Sequence, residues 1–421
     1  MSNPTFAQRT LRPLTTGGVR QSIFTLISSA LGGGIMCLPY VMLLGGWLVG
    51  ILMLSFAAVL AYYSMKILFI SASKTGIYSY GALLSHATSP LAGPILDVVI
   101  VLYGSGVVIA YYVFLGDFVP SLAKSIGLTW LEDRTTSLMI CCLCALPFAL
   151  PRKLSALQYI SPVSTIALIL TALVAVIRIP SMSANLTPLE SHYDIALFGL
   201  PLLKCFTISV FSFICHMNVV SVAGELLHPT AMRASKIAFR SAITQLIFYI
   251  VIGISGYVSF GQTVHQNFMT NYSPDDHLIV MCRFLLTLTI FFALPINTNP
   301  TANAFVHLIS PAQPEQASIE EPLVGGEPEE VLRKTRMATG IYVLIQGMVV
   351  AIYAPGVADV ISVLGGSFGT LIMLVCPSII YCRVFREDMI SNSKSRVMIA
   401  TLLGASLISV AAVICTVLHL I

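Results

Sequence analysis

The chain has 421 residues, 57% of them hydrophobic and 10% charged, and its mean hydropathy is +0.90. A soluble domain carries about 25% charged residues, so a water-facing globule is excluded and the solvent is expected to be lipid. The net charge of +4 does not mark a nucleic-acid partner, because the basic residues flank apolar runs rather than forming a patch.

Residues 1–19 are polar, include Arg9 and Arg12, and are expected to form a cytosolic segment. From there to residue 421 the chain reads as one membrane domain. A span needs about 20 apolar residues. Eleven runs qualify, at 20–44, 47–72, 92–121, 135–151, 156–178, 197–225, 237–259, 278–309, 337–354, 356–382 and 397–420. With the N-terminus in the cytosol, the inside segments collect most of the 22 Lys and Arg, whereas the outside segments collect Lys124, Arg134 and Arg178. That asymmetry sets the orientation.

The first span contains Ala30-Leu31-Gly32-Gly33-Gly34-Ile35-Met36-Cys37-Leu38-Pro39-Tyr40. Each glycine weakens a helix by up to about 1 kcal/mol relative to alanine, and Pro39 follows. The expectation is an unwound stretch, which at membrane depth is tolerated where it lines a cavity or is buried in protein. An interrupted helix offers free N–H groups to an anion and free carbonyls to a cation. The bland alternative is a small-residue packing face.

The third span carries Tyr103, Tyr111 and Tyr112, candidates for a pocket wall or an interfacial belt. The fourth holds Cys141, Cys142 and Cys144, but no second ligand cluster completes a metal site, and the ten cysteines imply no disulfide framework. The sixth span contains Phe211-Ser212-Phe213-Ile214-Cys215-His216-Met217-Asn218, with two polar side chains near mid-membrane. It is expected to break as the first span does. The eighth carries Thr287, Thr289, Asn297, Thr298, Asn299, Thr301 and Asn303, a polar stripe unsuited to a lipid-facing helix. Segment 310–336, rich in Pro, Gly and Glu, is expected to be a disordered cytosolic loop.

These residues carry a resemblance. GGGIMCLPY at 32–40, FSFICHMNVVSVAGEL at 211–226, GYVSFG at 256–261, Arg283 with Pro295, and GSFGTLIMLVCPSIIYCRVF at 366–385 occur in the order of the amino acid/auxin permease family's motifs. The chain is similar to its sodium-coupled neutral and proton-coupled amino acid transporter branches. The resemblance implies an all-α integral membrane fold of the leucine-transporter type, with an inverted repeat of five helices plus five and one added helix. It implies an amino acid substrate held at the breaks of spans 1 and 6 and moved by alternating access, with no cofactor. On this basis the substrate-binding candidates are Gly32, Gly33, Gly34, Ile35, Tyr111, Phe213, Cys215, His216 and Asn218.

The sodium-coupled branch has an asparagine where this chain has Ser28, and threonines where it has Phe291 and Ala293. Thr287 and Thr289, one turn earlier, compensate only in a shifted register. Coupling to a proton, or facilitated transport, is therefore favoured over sodium coupling. The ion-coupling candidates are Ser28, His216, Thr287 and Thr289, with His216 having an unperturbed pKa of about 6.5. The alternatives are a sodium-coupled symporter and an amino-acid sensor without transport. A membrane-embedded enzyme needs clustered catalytic groups, and the eight histidines are scattered. The expected location is the plasma membrane or a vacuolar or lysosomal membrane.

Overall fold

The computed structural model describes residues 17–30, 32–149, 160–227, 229–309, 327–354 and 356–418, and no β-strand occurs among them. The first span is two helices, α1 (Val19–Ala30) and α2 (Leu38–Gly45), linked through a 3-10 turn at Gly33–Cys37, and its axis bends by 56°. Next come α3 (Trp47–Thr75), the short α4 (Tyr80–Ala87), α5 (Ala92–Ser125), α6 (Arg134–Ala149) and α7 (Ile160–Ser183). The second half repeats the theme. A broken span, α8 (Pro201–Ser212) and α9 (His216–Glu225), precedes α10 (Ala231–Phe260), α11 (His277–Ile309) and α12 (Glu327–Tyr353). The tenth span starts as α13 (Val357–Leu364), passes through two π-helical stretches at Gly365–Gly369 and Leu371–Val375, and ends as α14 (Cys376–Val384). The short α15 (Arg386–Ser391) leads into α16 (Ser393–Val417).

Among the described residues nine helices are long and apolar enough to cross a membrane, and the bent α1–α2 pair makes a tenth span. The shorter apolar α6 occupies the remaining expected run, 135–151, whose last residues lie outside the described ones. Helix α12 starts at Glu327, inside the segment read as a loop. A Glu330–Lys334 ion pair at 2.7 Å, spaced one turn apart, favours helix there. The rest of that segment, 310–326, and residues 1–16 lie outside the described residues.

Helices α1, α2, α3, α8, α9 and α10 pack as a bundle, beside a second framework of α5, α7, α11 and α12. Small residues allow the close approach that lipid-embedded helices need. Ala57, Ala58 and Ala61 of α3 and Ala234, Ala238 and Ala242 of α10 are buried, and the two helices run against each other. On the opposite face of α3, Leu52 and Val59 are exposed. At one end of the framework the buried Arg283 guanidinium ties a loop to two helices. It donates to Ser121 Oγ at 2.8 Å and to the carbonyls of Met269 and Tyr272 at 2.7 and 2.6 Å.

Candidate functional site

The two breaks lie face to face. In the first, Gly32 is extended (φ −133°, ψ −157°) and the 3-10 turn begins at Gly33. In the second, α8 stops at Ser212 and α9 restarts at His216. Each restart exposes amide N–H groups that have no partner one turn earlier. One side chain joins the two breaks. Tyr249 Oη, fully buried on α10, donates to the Ser212 carbonyl at 2.6 Å and lies 3.4 Å from the Ala30 carbonyl.

A cavity of about 70 Å³ opens between the breaks and α5. Gly32, Gly33, Gly34, Tyr111, Cys215 and Asn218 line it, with Ser29, Tyr103, Val107, Phe211, Asn297 and Ile361 among the other lining residues. The glycines are not equivalent. A Cβ on Gly33 would collide with the Phe114 ring, and one on Gly34 would sit 2.9 Å from Ser212 Oγ and 3.1 Å from Phe211 Cδ1. A Cβ on Gly32 would meet Tyr111 Oη at an ordinary 3.5 Å. Gly33 and Gly34 thus let helices approach, whereas Gly32 leaves backbone open to the cavity. Tyr111 Oη accepts from Asn297 Nδ2 at 3.3 Å, which leaves its own proton to donate.

The two ends of the cavity differ. Asn218 Nδ2 donates to Ser29 Oγ at 3.1 Å, and both residues are exposed, so the cavity opens toward α1 and α9. Toward α2, α8 and α13 it is sealed. Cys37, Leu38, Val41 and Ile361 are completely buried. Lys204 Nζ, on α8, pairs with Asp359 Oδ1, on α13, at 2.5 Å. Gln266 Nε2 donates to Asp359 Oδ2 at 3.0 Å, while Gln266 Oε1 accepts from the Ala358 N–H at 3.0 Å.

The remaining candidates stand elsewhere. Ile35, Phe213 and His216 are completely buried behind the cavity wall. The Phe213 ring meets the Tyr249 ring edge-on, with centroids 5.0 Å apart. His216 Nε2 lies 2.6 Å from Ser64 Oγ, whose single proton has carbonyl acceptors at Leu60 (2.9 Å) and Ala61 (3.2 Å). With that proton given to a carbonyl, Nε2 donates to Ser64 and Nδ1 carries a lone pair. Nδ1 has no partner among the described residues. Ser28 Oγ donates to the Thr25 carbonyl at 3.0 Å and Thr287 Oγ1 to the Arg283 carbonyl at 2.7 Å. The buried Thr289 Oγ1 has no partner among the described residues, and none of these three hydroxyls lines the cavity.

Helix α11 instead contributes Asn297, a member of the polar stripe that sequence reasoning did not single out. Ser29 is the neighbour of Ser28, and no local pattern says which of the two serines meets Asn218. Ile361 carries no polar signal and was not findable.

Comparison with known proteins agrees with this architecture. The profile of the family described as transmembrane amino acid transporter protein matches residues 15–421. A candidate amino acid transporter of Toxoplasma gondii is 31% identical over 327 residues, which cover 76% of this chain and 44% of that protein. Vacuolar amino acid transporter 6 of Saccharomyces cerevisiae is 26% identical over 409 residues, covering 86% of this chain and 89% of the relative. The chain spans less than half the length of the Toxoplasma and Plasmodium relatives it matches. Among solved structures, a Na+-coupled sialic acid symporter in its substrate-bound outward-open state matches with TM-score 0.55 at 13% identity, covering 96% of this chain and 90% of that one. That likeness shows the fold, the leucine-transporter type with its two inverted five-helix repeats. The relatives and the family are transporters rather than enzymes. A profile match over nearly the whole chain, on a multi-pass helical fold with paired helix breaks, places it: the chain belongs to the transmembrane amino acid transporter family.

Proposed function

We propose that this chain is a secondary active transporter that carries amino acids by alternating access and is driven by protons. The observation that carries the reading is the apposition of two broken spans around a cavity sealed on one side and open on the other. A zwitterion needs an anion site and a cation site close together. The amides at the start of the 3-10 turn, with the Tyr111 hydroxyl, suit the carboxylate, and the Ala30 carbonyl that ends α1 at the cavity wall suits the ammonium. Rocking of the bundle against the framework would then open the Lys204–Asp359 side and close the Ser29–Asn218 side.

Proton coupling rests on His216. Its Nδ1 lone pair is an acceptor within the same helix break, and its Nε2 is fixed by Ser64. The sodium reading needs the oxygens of Ser28, Thr287 and Thr289 to converge beside the substrate, and none of the three lines the cavity. The vacuolar names of two fungal relatives favour a vacuolar membrane, and the basic-residue asymmetry favours a cytosolic N-terminus.

Uptake of a radiolabelled amino-acid panel into reconstituted vesicles, with pH and sodium gradients imposed separately, tests the proposal. The expected result is stimulation by an inward proton gradient and indifference to replacing sodium with choline, with His216→Ala losing the pH response more than binding. Dependence on sodium would reverse the ion assignment. Binding without flux under any gradient would make the chain a sensor.

A further inference from the structure

The proposed transport leaves open what the cavity selects. Nothing that lines it carries a charge. Among the described residues no Asp, Glu, Lys, Arg or His reaches its wall. Lys204 and Asp359, packed beyond it, are occupied with each other. A cationic or anionic substrate side chain would therefore enter without a counter-charge. An unpaired charge in a low-dielectric site is costly, and here nothing offsets it.

Size is limited as well. A water needs about 10–15 Å³ of such space, so 70 Å³ holds roughly five to seven water-sized groups. That suits glycine, alanine or serine and not phenylalanine or arginine. The wall that sets this limit is stiff. Tyr103 and Val107 stand one turn apart on α5, and the Tyr103 ring lies 6.1 Å from the Phe211 ring at 44°. Phe211 is wedged in place. An added Cβ at Gly34 would come within 3.1 Å of its ring, and one at Gly365, in the π-helical stretch of the tenth span, within 2.9 Å of its Cβ. The ring packs directly on the Gly34 backbone, and Gly365 packs on the base of the same side chain. Ile361, completely buried, closes the sealed end, opposite the opening at Ser29 and Asn218.

We propose that the cavity selects amino acids with short, uncharged side chains, and that Phe211, Val107 and Ile361 are the residues that set the upper size. This selectivity rests on the transport reading above, but binding reads it independently of flux.

The test uses the full chain, purified and reconstituted, with glycine, alanine, serine, leucine, phenylalanine, glutamate and arginine as probes. Two readouts are taken, thermal stabilisation of the purified protein and uptake into vesicles. Alanine and serine are expected to stabilise and to be carried, with leucine, phenylalanine, glutamate and arginine weaker by about tenfold or more. Ile361→Ala and Val107→Ala are expected to raise the leucine-to-alanine ratio by about tenfold, the scale of a few methylenes in an apolar pocket. Two separate variants guard against one failing to fold, and Phe211→Ala is a third with the same expected direction. Equal stabilisation by arginine, glutamate or phenylalanine and by alanine in the wild type would overturn the proposal. So would an unchanged leucine-to-alanine ratio in folded variants. Stabilisation with the expected selectivity but no flux would overturn the transport reading and leave the size filter standing. Stabilisation by none of the seven would overturn both.

Discussion

The two helix breaks have the same role in the fold and opposite origins. The break in the first span is made by what its residues lack. Gly33 and Gly34 admit no side chain, because Phe114, Ser212 and Phe211 occupy the space a Cβ would take. The break in the sixth span is made of ordinary bulky residues, Phe213, Ile214 and Cys215, which neighbours hold open. Tyr249 supplies a hydroxyl to the freed Ser212 carbonyl, and Ser64 fixes His216 at the restart. One interruption is intrinsic to the sequence, the other is imposed by tertiary contacts, so the two should fail differently.

The largest effect is expected at the intrinsic break. Gly34→Val forces a branched side chain against Ser212 and Phe211 and should destabilise by about 1–3 kcal/mol, the usual cost of overpacking, with loss of uptake. Thermal denaturation of purified protein measures it, and an unchanged midpoint would mean that the two spans are not so closely apposed. Tyr249→Phe attacks the imposed break. It strands a buried carbonyl and should cost about 1–2 kcal/mol, with uptake falling because the end of α8 is no longer fixed. If denaturation does not move, the sixth-span break is as intrinsic as the first and the contrast collapses. Ser64→Ala removes the partner of His216 Nε2 and should cost about 1 kcal/mol. Its distinguishing readout is a shifted pH profile of uptake, which a purely structural role would leave in place. The smallest stability effect belongs to Gly32→Ala. Its Cβ meets ordinary space beside Tyr111, so the folding free energy should stay within about 0.5 kcal/mol. Amino acid affinity should nevertheless drop, since the methyl group would stand in the cavity beside the Tyr111 hydroxyl. Wild-type affinity in that variant would move the carboxylate site elsewhere.

The same contrast decides what could be read before the structure. Three consecutive glycines with Pro39 beyond them announce the first break locally, because glycine and proline act through their own backbone. Nothing local in Phe213-Ile214-Cys215 announces the second. Its position followed from polar His216 and Asn218 in an apolar run, and from the resemblance. The spans were legible because lipid demands long apolar runs, although α12 reached back over residues whose composition suggested a loop. Helix α11 was legible as a polar face, yet a stripe does not say at which height a neighbour's tyrosine will stand. Asn297 meets Tyr111, while Thr287 and Thr289 face elsewhere. Ile361 is one apolar residue among many. Its place at the cavity depends on how α13 packs against α5 and α8, which no local pattern encodes.

The pairing of Lys204 with Asp359 has an electrical consequence. A group carrying one elementary charge through the field gains about 2.3 kcal/mol per 100 mV. In this protein the charged groups beside the cavity cancel each other and the cavity wall carries none. A zwitterion adds none either. On the proton-coupled cycle proposed above, the unloaded carrier should therefore return across the membrane at a rate indifferent to voltage, and the current of the cycle should consist of the proton alone. Neutralising either partner, by Lys204→Met or Asp359→Asn, would leave a lone charge on one moving helix and make the return step itself voltage-dependent.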